Sequence, residues 1–270
     1  MTENRFVYLY CVTNEEPKLT ETEDLVDNLC FFYHRGLYAV TSKVKESEFG
    51  EEGLKKNMAD LEWVQANAST HEKIIEQVMA NADVIPFKFG TLFNTDDSLR
   101  AMLEEYNEEF KTILRKLENK EEWGVKIYCD MDKLKESVIN DESEILKIEG
   151  EIKSSLPGKA FFLEKKKTEL LAQVVNRKIN ESGQESFELL KELSFEARVN
   201  KLLPREVTER EDDMVLNSAF LVGKAGVGDF INMVDTLKMH NENKEFFIDC
   251  TGPWPPYNFC GLSKQKVRNA

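Results

Sequence analysis

Histidine is the side chain best suited to moving protons near neutral pH, and a catalytic reading of this chain starts at His71. Its neutral imidazole could act as a base or a metal ligand, and it lies on an otherwise apolar helical seam. His34 and His240 are far away in sequence, so no second histidine lies within helical reach. The plainer expectation is a buried imidazole bonded to a carbonyl or carboxylate. A phosphate site is suggested by Gly223-Lys-Ala-Gly-Val-Gly-Asp229. It matches neither G-x-x-x-x-G-K-[ST] nor G-x-G-x-x-G, and a strand-to-helix turn accounts for its glycines. The carboxylates of Glu209-Arg-Glu-Asp-Asp213 could attract Mg²⁺ or Ca²⁺. They lack the alternating ligand spacing and central glycine of a calcium loop, so they read as a solvated hairpin loop.

Three further constellations concern contact rather than reaction. Arg205-Glu206 and Glu209-Arg210 flank Val207 and Thr208, an offset at which opposite charges can pair across a bend. They read as a structural ion-pair network or as a partner-binding loop. The segment Cys250-Thr-Gly-Pro-Trp-Pro-Pro-Tyr-Asn-Phe259 sets Trp254, Tyr257 and Phe259 on a backbone stiffened by three prolines. Such a segment plugs the core of its own domain or offers a low-entropy docking surface. Lys165-Lys-Lys167 is a basic run on a helix, a solvated face that can also meet an acidic partner. Nothing here assembles a nucleophile, its base and an oxyanion site, so catalysis is not expected.

The elements that carry these residues follow from apolar periodicity. Arg5 to Val12 reads as a strand, Thr20 to Asn28 as a short helix, and Leu29 to His34 and Leu37 to Lys43 as strands joined at Arg35-Gly36. The seam Leu61, Val64, Ala68, His71, Ile75, Val78 and Ala82 predicts a long helix, and Asp83 to Phe89 a strand containing Pro86. Thr95-Asp-Asp-Ser98 opens another helix, whose face runs from Leu99 to Leu117. Trp123 to Cys129 is a strand, followed by charged helix to about Leu193 with an interruption at Leu156-Pro157-Gly158. Phe195 to Leu203 and Met214 to Val222 are strands, Val227 to His240 a helix, and Glu245 to Thr251 a last strand that Gly252 and Pro253 should end.

This β-α-β-β-α-β order occurs twice. The expected fold is α+β: two tandem ferredoxin-like (split βαβ) domains with a helical connector and a helix-rich insertion in the second. The expected boundaries are 1–94 for the first domain, 95–120 for the connector, and 121–270 for the second domain with its helical segment at 131–193.

The 270 residues are 41% apolar, enough for real cores, and carry a net charge of −14. That charge opposes nucleic acid and anionic membrane as partners, since both need a basic face. No apolar run reaches membrane-span length, and Met1-Thr-Glu-Asn-Arg5 lacks signal-peptide character, which predicts a cytoplasmic protein. Cys11, Cys30, Cys129, Cys250 and Cys260 are odd in number and widely spaced, as expected of reduced thiols rather than a zinc or disulfide set.

Several segments, in order, together resemble the gas vesicle GvpF/GvpL accessory proteins. They are Thr70 to Met79 (THEKIIEQVM), Val84 to Phe93 (VIPFKFGTLF) and Trp123 to Asp130 (WGVKIYCD). Gly158 to Lys167 (GKAFFLEKKK), Asn200 to Arg210 (NKLLPREVTER), Met214 to Val222 (MVLNSAFLV) and Thr251 to Phe259 (TGPWPPYNF) complete the set. The strands Arg5 to Val12 and Leu37 to Val44 also fit, while Met131 to Pro157 carries the least resemblance. Trp123 to Asp130 and the Leu202-to-Arg210 segment bring the chain closer to the L branch. The resemblance implies a cytoplasmic, gas-vesicle-associated assembly factor without catalysis or cofactor. Its implied partners are the hydrophobic shell subunit and other accessory proteins, as adaptor, chaperone or scaffold. Trp254, Tyr257, Phe259, Arg205, Glu206 and Arg210 are the candidate partner-binding residues. A minor structural component of the shell is an alternative, and a small-molecule-binding or catalytic ferredoxin-like protein is the rival from another class.

Overall fold

The computed structural model describes residues 5–18, 29–241 and 244–261. The predicted helix Thr20 to Asn28 lies outside them. The chain forms two compact units, one from residues up to Glu122 together with the segment from Trp254, the other from Trp123 to Pro253. The expected division at residue 121 assigned the C-terminal segment to the second domain. It groups instead with the first unit, where Tyr257 bonds Glu72, Asn258 bonds Glu122 and Lys116 reaches the Phe259 carbonyl.

In the first unit, β1 (Arg5–Thr13) is central, with β2 (Cys30–His34), β3 (Leu37–Lys45), β4 (Ile85–Pro86) and β5 (Leu92–Phe93) completing an antiparallel sheet of order β2-β3-β1-β4, where β5 also pairs with β1. Residues Val7 to Thr13 are all buried, as expected of a strand flanked on both edges and covered by helices. The β2–β3 hairpin turns at Arg35-Gly36, where both residues have positive φ (48° and 83°), the geometry whose twist matches the flanking strands. The sheet is covered by α1 (Glu46–Phe49), α2 (Glu51–Asn57) and α3 (Leu61–Met79), followed later by α4 (Asp96–Glu105) and α5 (Asn107–Leu117).

Asp60 caps α3 by accepting from the Glu62 and Trp63 amides, and His71, Ile74, Ile75 and Val78 face the core. The start of the predicted seam does not: Leu61 is 79% exposed. Thr95 and Ser98 form a reciprocal capping box on α4. The long helix expected from Leu99 to Leu117 breaks at Tyr106 (φ −102°, ψ 10°), yet Phe110 N–H still bonds the Tyr106 carbonyl and the apolar face continues across the break.

The strand expected from Asp83 to Phe89 shrinks to Ile85–Pro86, and a second short strand, Leu92–Phe93, lies beyond it. The Phe87 N–H still bonds the Tyr10 carbonyl, but Gly90 then takes φ +79° and regular pairing with β1 resumes only at Leu92.

In the second unit, β6 (Lys120–Cys129) enters from the boundary. It is followed by α6 (Met131–Asp141), α7 (Ser143–Ser154), α8 (Pro157–Glu192), β7 (Glu196–Val199), α9 (Arg205–Thr208), β8 (Asp213–Gly223), α10 (Val227–Asn241) and β9 (Phe246–Trp254). The sheet order is β7-β8-β6-β9. Its core holds Val125, Ile127, Phe220, Phe230, Val234 and Phe246. Pro157 stands in the first turn of α8, where its missing donor costs nothing, and 36 residues give a rod of about 54 Å. The glycines before α10 form a strand-to-helix turn, as expected. β9 runs through Gly252 and Pro253 to Trp254 rather than ending at Thr251. As an edge strand it can leave one rim without ladder bonds, and Gly252 supplies the φ of +145° that a side chain would resist.

Candidate functional site

The interrupted β4–β5 segment frees backbone groups that a regular ladder would have consumed. The Phe87 carbonyl faces His71 Nε2 at 3.0 Å, and the Gly90 amide donates to Tyr8 Oη at 3.0 Å. A carbonyl only accepts, so Nε2 of His71 carries the proton and Nδ1 accepts from the Tyr8 hydroxyl at 2.9 Å. Tyr257 Oη lies 3.3 Å from the same Nε2 and donates to Glu72 Oε1 at 2.9 Å. Every hydroxyl proton and ring nitrogen in this chain of bonds has a consistent role with a neutral imidazole. Burial holds His71, 1% exposed, down to about 4, and the bond to the Phe87 carbonyl opposes that only in part. Burial first, and then the neighbouring Glu72 carboxylate, push the Tyr257 phenol well above its ordinary value. His71 is thus a core histidine bonded to a carbonyl, as expected.

The C-terminal segment is seated beside it. Pro255 and Pro256 are buried, and Phe259 is 2% exposed. Glu122, buried at the start of β6, accepts from the Asn258 amide at 3.0 Å and from Asn258 Nδ2 at 2.6 Å. Lys116 Nζ donates to the Phe259 carbonyl at 3.4 Å and stands 5.7 Å from its ring centroid. The aromatic segment therefore divides: Phe259 is a plug, Tyr257 is a half-engaged latch, and Trp254 is 43% exposed. The plug belongs to the first unit, not to the second domain as expected.

The charged loop of the second unit is built differently from the expected pairing. Arg205 and Glu206 do not pair with Glu209 and Arg210. Arg205 instead grips Asp213 through two bonds of 2.7 and 2.8 Å, from Nε and Nη2, closing the loop at its two ends. That bond holds the Asp213 carboxyl below its ordinary value. Arg210 donates to Asp249 on β9 at 3.0 Å and to Asp212 at 3.2 Å, and its guanidinium lies 4.2 Å from the Tyr128 ring centroid. Glu209 reverses the chain with φ +53° at the end of α9. The arginines thus hold the loop, and two of the carboxylates that might have bound a cation answer to them. Glu206 and Val207 are left facing solvent.

Sequence reasoning missed Glu72, Glu122 and Tyr8, whose partners are remote in the chain. It also passed over Phe161 and Phe162, which lie exposed on α8. Their signal was available: two adjacent rings off the apolar stripe of a helix.

A family model described as gas vesicle synthesis protein GvpL/GvpF matches residues 6–261. The chain belongs to the GvpL/GvpF family. It is 23% identical to gas vesicle protein L of Streptomyces sp. (strain CB03234), over 99% of this chain and 97% of that protein. It is 24% identical to gas vesicle protein F of the same strain, over 74% and 79% of the respective chains. Among solved structures, GvpF from Anabaena sp. PCC7120 superposes with a TM-score of 0.73 at 18% identity, covering 96% of this chain and 100% of that one. GvpF from Microcystis aeruginosa gives 0.65 at 19% identity, covering 95% and 99%. These likenesses establish an α+β GvpF-type fold of antiparallel sheets and helices.

Proposed function

We propose that this GvpL/GvpF-family chain is a non-catalytic accessory factor in gas vesicle assembly. In this reading it is cytoplasmic and associates with gas vesicles. It works by contact with the hydrophobic shell subunit and with other accessory proteins. The observation that carries the reading is the family match across residues 6–261. Physical chemistry supports it: a net charge of −14 keeps a complex with an apolar client in solution. Trp254, Tyr257 and Glu206 are the partner-binding candidates that stand at the surface. Phe259, Arg205 and Arg210 contribute by holding those surfaces in shape.

The tandem split-βαβ reading is part of the same proposal. Both sheets run second-third-first-fourth in chain order, the order that arrangement requires.

The test is a pull-down of the tagged full chain from cells co-expressing the shell subunit, with and without the other accessory proteins. Capture of shell subunit by this protein alone supports a direct client-binding factor, and capture only with accessory proteins supports a scaffold. Capture in neither arm overturns the reading. Proteomics of purified, stripped vesicles separates a transient factor from a retained minor component, since only the latter survives stripping.

A further inference from the structure

The first three turns of α8 stand apart from the rest of the surface. Ala160, Leu163, Lys167 and Leu170 form the half-buried stripe, at steps of three and four, that lies toward α7. Lys167 joins Glu149 of α7 and fastens the two helices. Phe161 and Phe162 fall off that stripe and are 71% and 72% exposed, with Leu156 just ahead of the helix at 81%. The two rings meet edge to face, centroids 6.0 Å apart, and form one apolar ridge rather than two scattered side chains.

The ridge is framed by positive charge. Lys165 follows Phe161 by four residues and Lys166 follows Phe162 by four, while Lys159 precedes Phe162 by three, so each ring shares a helix face with lysine. Residues 153–168 contain five lysines and one acid, Glu164, in a chain whose net charge is −14. Among the described residues no carboxylate lies within ion-pair distance of Lys159 or Lys166, and Lys165 reaches Glu169 only at 3.9 Å.

From this we infer that the α7–α8 tip is a docking surface for a protein segment with an apolar stripe bordered by carboxylates, of the kind an acidic amphipathic helix presents. The inference rests on the accessory-factor reading and names the surface through which it acts. Charge complementarity selects the occupant. A basic, aromatic ridge on an acidic protein attracts a locally acidic apolar segment. A second copy of the chain would bring its excess negative charge with it, and an anionic bilayer would be repelled by the rest of the surface.

The experiment uses the full chain with a photo-crosslinking phenylalanine analogue at position 162, co-expressed with the gas vesicle proteins. Two companions are compared in pull-down: F161S/F162S, and K159E/K165E/K166E. The expected result is a crosslink to a gas vesicle protein at a peptide rich in Asp and Glu beside apolar residues. Both variants should lose that partner at least tenfold with melting temperatures within about 2 °C of wild type, because the altered side chains are exposed. Wild-type capture should weaken as salt rises. Capture undiminished in both variants would overturn the docking surface while leaving the accessory reading intact. Failure of wild type to capture any gas vesicle protein would overturn both. A crosslink to a second copy, or co-sedimentation of wild type but not F161S/F162S with phosphatidylglycerol vesicles, would overturn the acidic-helix partner.

Discussion

Tyr257 donates its phenolic proton to Glu72, 2.9 Å away and 185 residues earlier in the chain. The same hydroxyl lies 3.3 Å from the protonated nitrogen of His71, so α3 reads the presence of the C-terminal segment through two adjacent side chains. The segment is therefore part of the first unit's core structure and not an appendage.

Phe259→Ala should destabilise the first unit by about 3–5 kcal/mol, the cost of emptying a fully buried aromatic site. Trp254→Ser should cost less, about 1 kcal/mol, because 43% of the residue is already in solvent. Hydrogen exchange of the β1 amides in the two variants measures both. Equal protection would contradict the division of the segment into plug and surface.

Acid should weaken the first unit through His71. The folded state keeps this imidazole neutral down to about 4, whereas the unfolded chain takes up a proton below about 6.5. The unfolded state thus binds more protons in that window, and stability rises with pH across it. Full stability is present above about 6.5, and up to roughly 3 kcal/mol is lost by pH 4. Urea titrations at a series of pH values should show a shallower slope in His71→Gln than in wild type.

The two loop arginines should differ. Arg205→Ala removes a well-formed but half-exposed ion pair and should cost under about 1 kcal/mol. Arg210→Ala removes two hydrogen bonds and the stacking on Tyr128, and should cost about 1–3 kcal/mol. Denaturant unfolding followed by a second-unit probe ranks them. The reverse order would mean that Arg205, not Arg210, anchors the loop.

Thiol reactivity should follow burial. Burial pushes the Cys129 thiol up to about 12 and the Cys250 thiol up to about 11, and Cys11 is raised by the same cause. A disulfide reagent should modify exposed Cys30 first and leave Cys11 and Cys129 until denaturant is added. Rapid native labelling of Cys129 would contradict the closed core.

What could be read in advance was local. The Arg35-Gly36 turn, the helix start at Thr95 and the interruption at Leu156-Pro157-Gly158 each depend on a few consecutive residues, and each stands as expected. Interactions across long separations were illegible, because nothing near Glu122 distinguishes it from Glu118 or Glu121 until Asn258 reaches it. The charged loop failed for a related reason. Two arginines and two glutamates close in sequence invite pairing with one another, but the carboxylates that win come from the loop's flank and from β9. The last strand was cut short because a proline ends a central strand, and its place at the sheet's edge is a property of topology.

The segment from Trp254 also sets an order of events during synthesis. A ribosome delivers β1 to α5 long before Phe259, so the first unit emerges with an apolar site open and cannot close it by waiting. All of Trp123 to Pro253 must be made in between, and that stretch has its own sheet and core to form as it leaves the tunnel. The half that begins first is thus finished last, and throughout translation the nascent chain exposes the cleft that Phe259 later fills.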